Sequence, residues 1–384
     1  MPGRVDGGKI SALEGSLLVV SAILPWAVLF IPVLAIETAG QDAWLSSVPA
    51  TLLGIGVAFL ATALARRFPG ETLIGFTLKT MGRPLGYLIG AAYVVWLTSV
   101  AALTARGFGE LITTMILPRT PISVVIGALI AVVATNVRGG IEVIARANQV
   151  IVPIVVAFLA TLAVLSFKDV DPRNWQPVLE RGLLPVLQGQ YIAGGFFGEV
   201  MVAAIMILPF LNRKAASLRV LVLPILALGL LMMGTSLWYV GVLGAEVAGR
   251  LVFLPVEIAK HVSIANFLER LEAVSVSLWV TASFAKLSIW CYGATLAAAE
   301  LLRLQDYRPL AWPIGLLVGE LSVLFFNDQA EFFRFVRWSA TPYMLVFEAV
   351  IPLLLLGVAS ARGARGPRPG TASTLEEPPS PPKV

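Results

Sequence analysis

The chain is written as a series of apolar runs, each close to the ~20 residues that a helix needs to cross a bilayer. They fall at about 11–36, 43–64, 85–116, 122–137, 141–166, 187–210, 218–243, 273–301, 310–326 and 341–360. In hydrocarbon every backbone polar group has to be satisfied inside its own segment, so such runs become packed helices. Only 13% of the residues are charged and 58% are hydrophobic, against about 25% and about 45–50% in soluble domains. The expected fold class is an all-α polytopic membrane protein.

Two of these runs are interrupted. The sixth carries Gly194-Gly195-Phe196-Phe197-Gly198-Glu199. Each glycine weakens a helix by about 1 kcal/mol relative to alanine. A carboxylate follows at mid-membrane depth, where charge costs about 2.5–3.5 kcal/mol on insertion scales. The first run carries Pro25 and Pro32, flanking Trp26-Ala27-Val28-Leu29-Phe30-Ile31, and proline removes a backbone donor and clashes with the preceding turn. Ordinary kinks explain either break alone, since proline and glycine are frequent in membrane helices. Their matched positions point instead to two inverted five-helix repeats with spans 1 and 6 discontinuous, an arrangement that builds midplane binding sites in secondary transporters. The expected organisation is a tail at 1–10, a first repeat at 11–166, an external connecting loop at 167–187, a second repeat at 188–360 and a disordered tail at 361–384.

Charges inside the runs are the functional candidates. Lys286 lies deep in span 8, with Ser283 and Trp290 on its helix face. Its ammonium needs a carboxylate or a carbonyl cluster. Glu199, free carbonyls at the span 1 break and a ligand carboxylate all fit, and Trp290 would supply an aromatic wall. Arg106 and Glu110, four residues apart in span 3, share a face with Ser99. They read either as an intrahelical pair near the membrane edge, with Arg106 snorkelling, or as Arg106 reaching across to Glu199. Glu348 in span 10 has no evident partner. Half-helix N-termini at the breaks suit a carboxylate and the opposing carbonyls suit an ammonium, which together fit a free amino acid.

Other chemistry has little support. Cys291 is the sole cysteine and His261 the sole histidine, so neither a disulfide, a metal cluster nor a triad can be assembled from them. No P-loop, GxSxG or HExxH pattern occurs, and no cofactor or enzymatic activity is expected. The formal charge of +5 needs no nucleic acid partner. Lys and Arg gather in the N-tail, 66–83, 138–146, 213–219, 303–308 and the C-tail, and thin out in the alternate loops. That bias places both termini in the cytoplasm.

Short stretches then carry a family resemblance. They are Gly40-Gln41-Asp42-Ala43-Trp44, Arg67-Phe68-Pro69-Gly70-Glu71-Thr72-Leu73, Leu117-Pro118-Arg119-Thr120-Pro121 and Gly140-Ile141-Glu142-Val143-Ile144-Ala145-Arg146. Further on come Phe197-Gly198-Glu199, Leu208-Pro209-Phe210-Leu211-Asn212, Phe267-Leu268-Glu269-Arg270-Leu271-Glu272 and Asp306-Tyr307-Arg308-Pro309-Leu310. In this order the chain resembles the endospore germination permeases, the membrane B subunits of nutrient germinant receptors, within the amino acid–polyamine–organocation superfamily. The resemblance implies a ten-span inverted-repeat fold in the spore inner membrane and a small nutrient ligand, typically an amino acid. It also implies a larger membrane A subunit and a lipoprotein C subunit as partners. It puts the ligand among spans 1, 3, 6 and 8, at Pro25, Val100, Phe196, Lys286 and Trp290, to which the broken helices add Trp26, Gly198 and Glu199. Pro25 stands where many members have a small residue. Lys286 stands where some have a neutral one, so that its ammonium would replace a bound sodium ion or bind an acidic ligand. Without the resemblance, the same features read as a proton- or cation-coupled amino acid transporter.

Overall fold

A computed structural model describes residues 6–212, 217–261 and 271–363. Residues 213–214 at the end of the sixth run, 267–270 and the tail from 364 onward lie outside the described residues. Among the described residues the chain is helical, and its one extended pairing is a single bridge between Ile10 and Leu211.

The first half contains α1 (Ala12–Leu29), α2 (Ile31–Ala39), α3 (Ala43–Arg67), α4 (Leu73–Met81), α5 (Arg83–Met115), α6 (Ile122–Arg138) and α7 (Ile141–Leu165). The second contains α8 (Leu184–Gly198), α9 (Val200–Ile207), α10 (Ser217–Leu243), α11 (Ala245–Ala248), α12 (Leu254–His261), α13 (Leu271–Leu301), α14 (Ala311–Leu324), α15 (Gln329–Trp338) and α16 (Ala340–Leu345). A π-helical turn, Val346–Val350, then leads into α17 (Ile351–Ala361). Each half opens on a divided helix and carries a short helix, α4 or α12, ahead of its third span. Among the described residues seven helical stretches are long and apolar enough to cross a membrane, or eight if the bent pair α14–α15 counts as one. The remaining expected spans are α6, with 17 residues, and the divided α8–α9. Leu52, Leu88, Val150, Leu230 and Leu316 all face outward, an apolar rim that water would penalise and lipid does not.

Both divisions occupy a single residue. α1 starts on a capping box, with Ser11 Oγ accepting from Glu14 N at 3.2 Å and Glu14 Oε2 accepting from Ser11 N at 2.7 Å. It ends at Phe30, whose φ of −112° leaves the helix. The cause is Pro32: it has no N–H for Val28 O, and that carbonyl accepts Tyr239 Oη at 3.3 Å instead. Pro25 is absorbed inside α1, so the break sits at the Pro32 end of the expected segment. The α8–α9 division falls at Glu199, whose N–H bonds Phe196 O at 3.3 Å in a tightened turn.

The two divided helices lie side by side at the centre, α1 against α9 and α2 against α8, with α5 and α13 packed together beside them. Glycine sets one of these approaches. A Cβ on Gly195 would lie 2.9 Å from the Thr341 Cα on α16, and backbone cannot swing aside. Gly195→Ala is expected to destabilise the protein by about 1–3 kcal/mol, the usual cost of overpacking. Thermal unfolding in detergent measures this, and an unchanged midpoint would contradict the close α8–α16 contact.

The segment before α1, expected as a short tail, is tied into the bundle. Ile10 exchanges backbone bonds with Phe210 and Asn212 at 3.0 Å, and Asp6 Oδ2 accepts from Tyr292 Oη at 2.9 Å. The stretch left between the ninth and tenth expected runs holds helix α15, turned 101° from α14, with Phe332 and Val336 on its buried side.

Candidate functional site

The α8–α9 division puts Glu199 at the centre of the bundle, fully buried. Opposite it, Lys286 projects from the middle of α13 and is also fully buried. Its Nζ donates to Glu199 Oε2 and to Ala22 O on α1. Of the three partners foreseen for Lys286, Glu199 is engaged; the carbonyl it holds is Ala22 O, inside α1 and about two turns before the break at Phe30. The carbonyl belongs to the turn that Pro25 loosens by withholding its own donor. One ammonium thus joins α13 to both divided helices. The indole rings of Trp26 and Trp290 lie 5.9 Å and 5.7 Å from Nζ, within cation–π range. Among the described residues Glu199 Oε1 has no hydrogen-bond partner.

Beside this pair lies a cavity with an interior of about 10 Å³, lined by Trp26, Val100, Leu103, Thr104, Phe196, Glu199, Val336, Ala340 and Met344, room for about one water. Trp26 stacks on Phe196, with ring centroids 4.8 Å apart at 15°. Phe30, at the α1–α2 division, touches Trp26 at 4.6 Å, Phe333 at 5.8 Å and Phe332 at 6.5 Å. These rings separate the cavity from a surface depression lined in part by Phe30, Phe333, Glu37 and Arg337. Glu37 and Arg337 are ion-paired at the mouth of that depression.

The structure therefore brings Trp26, Val100, Phe196 and Glu199 to one cavity and sets Lys286 and Trp290 directly behind it. Pro25 precedes Trp26 on α1, inside the bundle. Gly198 packs against the carboxylate of Glu348, which an added Cβ would overlap. Ser283 is buried one turn before Lys286 and forms no hydrogen bond to the pair among the described residues.

Arg106 forms the expected intrahelical pair with Glu110. It does not reach Glu199, and it does not snorkel. It is 4% exposed; its Nε bonds Glu110 Oε1 at 2.7 Å, and its Nη1 bonds Phe326 O at 2.7 Å and Ser322 O at 3.4 Å. The pair closes the C-terminal end of α14, where the chain turns into α15 and where helix carbonyls lack partners. Leu103, Thr104, Val336, Ala340 and Met344 complete the cavity wall without having been anticipated. For Val336 the signal was the spacing Phe332, Phe333, Val336 after an Asp328 cap, a helical stripe masked by Arg334 and Arg337.

Comparison with known proteins completes the description. Spore germination protein KB of Bacillus subtilis is 26% identical over 326 residues, covering 84% of this chain and 87% of the relative. Spore germination protein YndE of the same organism is 23% identical, covering 92% and 97%. Among solved structures, MhsT in complex with L-phenylalanine superposes with a TM-score of 0.73 at 15% identity, covering 92% of this chain and 90% of that one. The nucleobase-cation-symport-1 transporter Mhp1, closed on bromovinylhydantoin, gives 0.62 at 14% identity, covering 92% and 80%. Both identities are low, and these likenesses bear on the fold alone. The family model described as spore germination protein matches residues 9–329, and the chain belongs to the spore germination permease family.

Proposed function

We propose that this protein is the membrane B subunit of a spore nutrient germinant receptor, binding a small amino acid in the cavity between its divided helices. The observation that carries this reading is the juxtaposition of Glu199 with the stacked Trp26 and Phe196 on one small cavity. Among the described residues Glu199 Oε1 has no partner, and it would accept from the ligand ammonium. Lys286 is already engaged by Glu199 and Ala22 O, so it acts as the pillar that holds Glu199 in place. Trp26, Phe196 and Met344 would cover an apolar side chain. At about 10 Å³ the cavity is far below the usual ~300–1,000 Å³ of small-molecule sites, so the rings that line it have to separate before an amino acid enters. The L-phenylalanine complex of the fold neighbour MhsT is consistent with an amino acid at this place. Family and fold are those of membrane receptors and transporters, not of enzymes.

In this reading the protein sits in the spore inner membrane with both termini in the cytoplasm, as the Lys/Arg bias suggests. Occupancy biases the arrangement of the two repeats, and the change passes to a larger membrane A subunit and a lipoprotein C subunit. Proton- or cation-coupled amino acid transport is the second reading, favoured by the fold of MhsT and Mhp1.

Equilibrium binding of an amino acid panel to the purified protein, alongside uptake in proteoliposomes, separates the two. Saturable binding without uptake supports the receptor, and concentrative uptake driven by a gradient supports the transporter. The N-acetyl derivative of the best ligand is expected to bind about 10–100-fold more weakly. That is the range of a lost charged hydrogen bond of about 1.5–3 kcal/mol. Equal binding of the two forms would remove Glu199 from ligand recognition.

A further inference from the structure

The cluster behind the cavity contains one carboxyl group more than its ammonium can balance. Glu348 lies on the π-helical turn Val346–Val350 and is fully buried, and among the described residues neither of its oxygens has a hydrogen-bond partner. It makes no ion pair among the described residues, yet it stands within electrostatic reach of Glu199 and Lys286. A π-turn inside a membrane helix is itself a feature often found at functional sites. Gly198 approaches this carboxyl so closely that no other residue fits without moving it.

The groups around Glu348 define its charge. From α8–α9 the facing group is Glu199, and from α13 it is Lys286, already bonded to Glu199 and Ala22 O. From α5 it is Tyr93, whose hydroxyl is spent on Phe347 O at 2.8 Å. On its own helix, Tyr343 is taken by Ser99 at 2.7 Å. The only charges on α3 are Arg66 and Arg67, at its far end. Among the described residues no donor is aimed at Glu348, and the cation that faces it, Lys286, is already neutralised by Glu199. An isolated ionised carboxylate in such a place is strongly disfavoured. Among the described residues no group of three acidic, histidine or cysteine side chains is arranged to hold a metal ion.

We propose that Glu348 is a proton-binding site. Glu199, Lys286 and Glu348 form a neutral set of two carboxyls, one ammonium and one proton, with the proton on Glu348. This assignment stands without any statement about the ligand. It gives the protein a titratable element at the contact between α8–α9 and the α16–α17 helix. A shift of the divided helix away from Glu348 changes its distance from Lys286 and therefore its hold on the proton.

Infrared spectroscopy of the purified full-length protein at neutral pH tests this through the C=O stretch of a neutral carboxylic acid. The difference spectrum of wild type minus Glu348→Gln is expected to show such a band. Glu199→Gln is a second test: Lys286 then needs another counterion, Glu348 supplies it by ionising, and the acid band disappears although Glu348 is intact. Identical acid bands in wild type and Glu348→Gln would overturn the proposal, and so would a band that persists undiminished in Glu199→Gln. A wild-type band that emerges only when sodium is withdrawn would also overturn it, since Glu348 would then be holding a cation.

Discussion

Lys286→Ala is expected to abolish ligand binding and to destabilise the protein by about 3–5 kcal/mol, the range for stripping one partner from a buried ion pair. The reason is what the substitution leaves behind. Glu199 stays fully buried with no counterion, and Ala22 O loses its donor. The single variant mixes two effects, so the paired variant Lys286→Met with Glu199→Met is the informative companion. Replacing a whole buried pair by apolar side chains is often neutral or stabilising. Stability should therefore return while ligand response stays absent. Thermal unfolding in detergent read beside equilibrium binding distinguishes the cases. Normal binding by the double variant would exclude the pair from the site.

Arg106→Ala is expected to produce an equally large loss of stability, about 3–5 kcal/mol, with a different functional signature. It leaves Glu110 buried and alone, and it frees the carbonyls of Ser322 and Phe326 at the bend into α15. Arg106 does not line the cavity. Ranking of ligands should therefore be unchanged in whatever fraction remains folded, with apparent affinity falling uniformly. Arg106→Lys should recover only part of the stability, because an ammonium cannot reproduce the planar fork that serves Glu110 and Phe326 together. A changed ligand ranking in Arg106→Ala would mean that the bend into α15 shapes the cavity directly.

These two residues show what a one-dimensional reading reaches. The pairing of Lys286 with Glu199 was legible, because a deeply buried ammonium has few ways to be neutralised and the breaks announced themselves through glycine and proline, but its second partner, Ala22 O, lies inside α1 and away from the break. The divided spans themselves followed from the same residues. The direction of Arg106 was not legible. An i,i+4 partner was visible, but the carbonyls it serves belong to a helix end more than two hundred residues away. Helix α15 was hidden by its length and by Arg334 and Arg337, which read as loop charge although Phe332 and Val336 point inward. Glu348 lacked an evident partner in sequence and lacks one among the described residues in three dimensions. Its neighbour is the bare Cα of Gly198, a contact that no charge pattern encodes.

The rings above the cavity have a consequence for timing. Trp26, Phe196, Phe30 and Phe332 close the route from the depression where Glu37 meets Arg337. On the proposed function a ligand reaches Glu199 only while these rings stand apart, so the rate of capture would have a ceiling set by their opening rather than by diffusion. Raising ligand concentration beyond that point fills more sites at equilibrium but fills none of them faster. On that reading the time for which ligand is present, and not its concentration alone, would decide how many sites are filled.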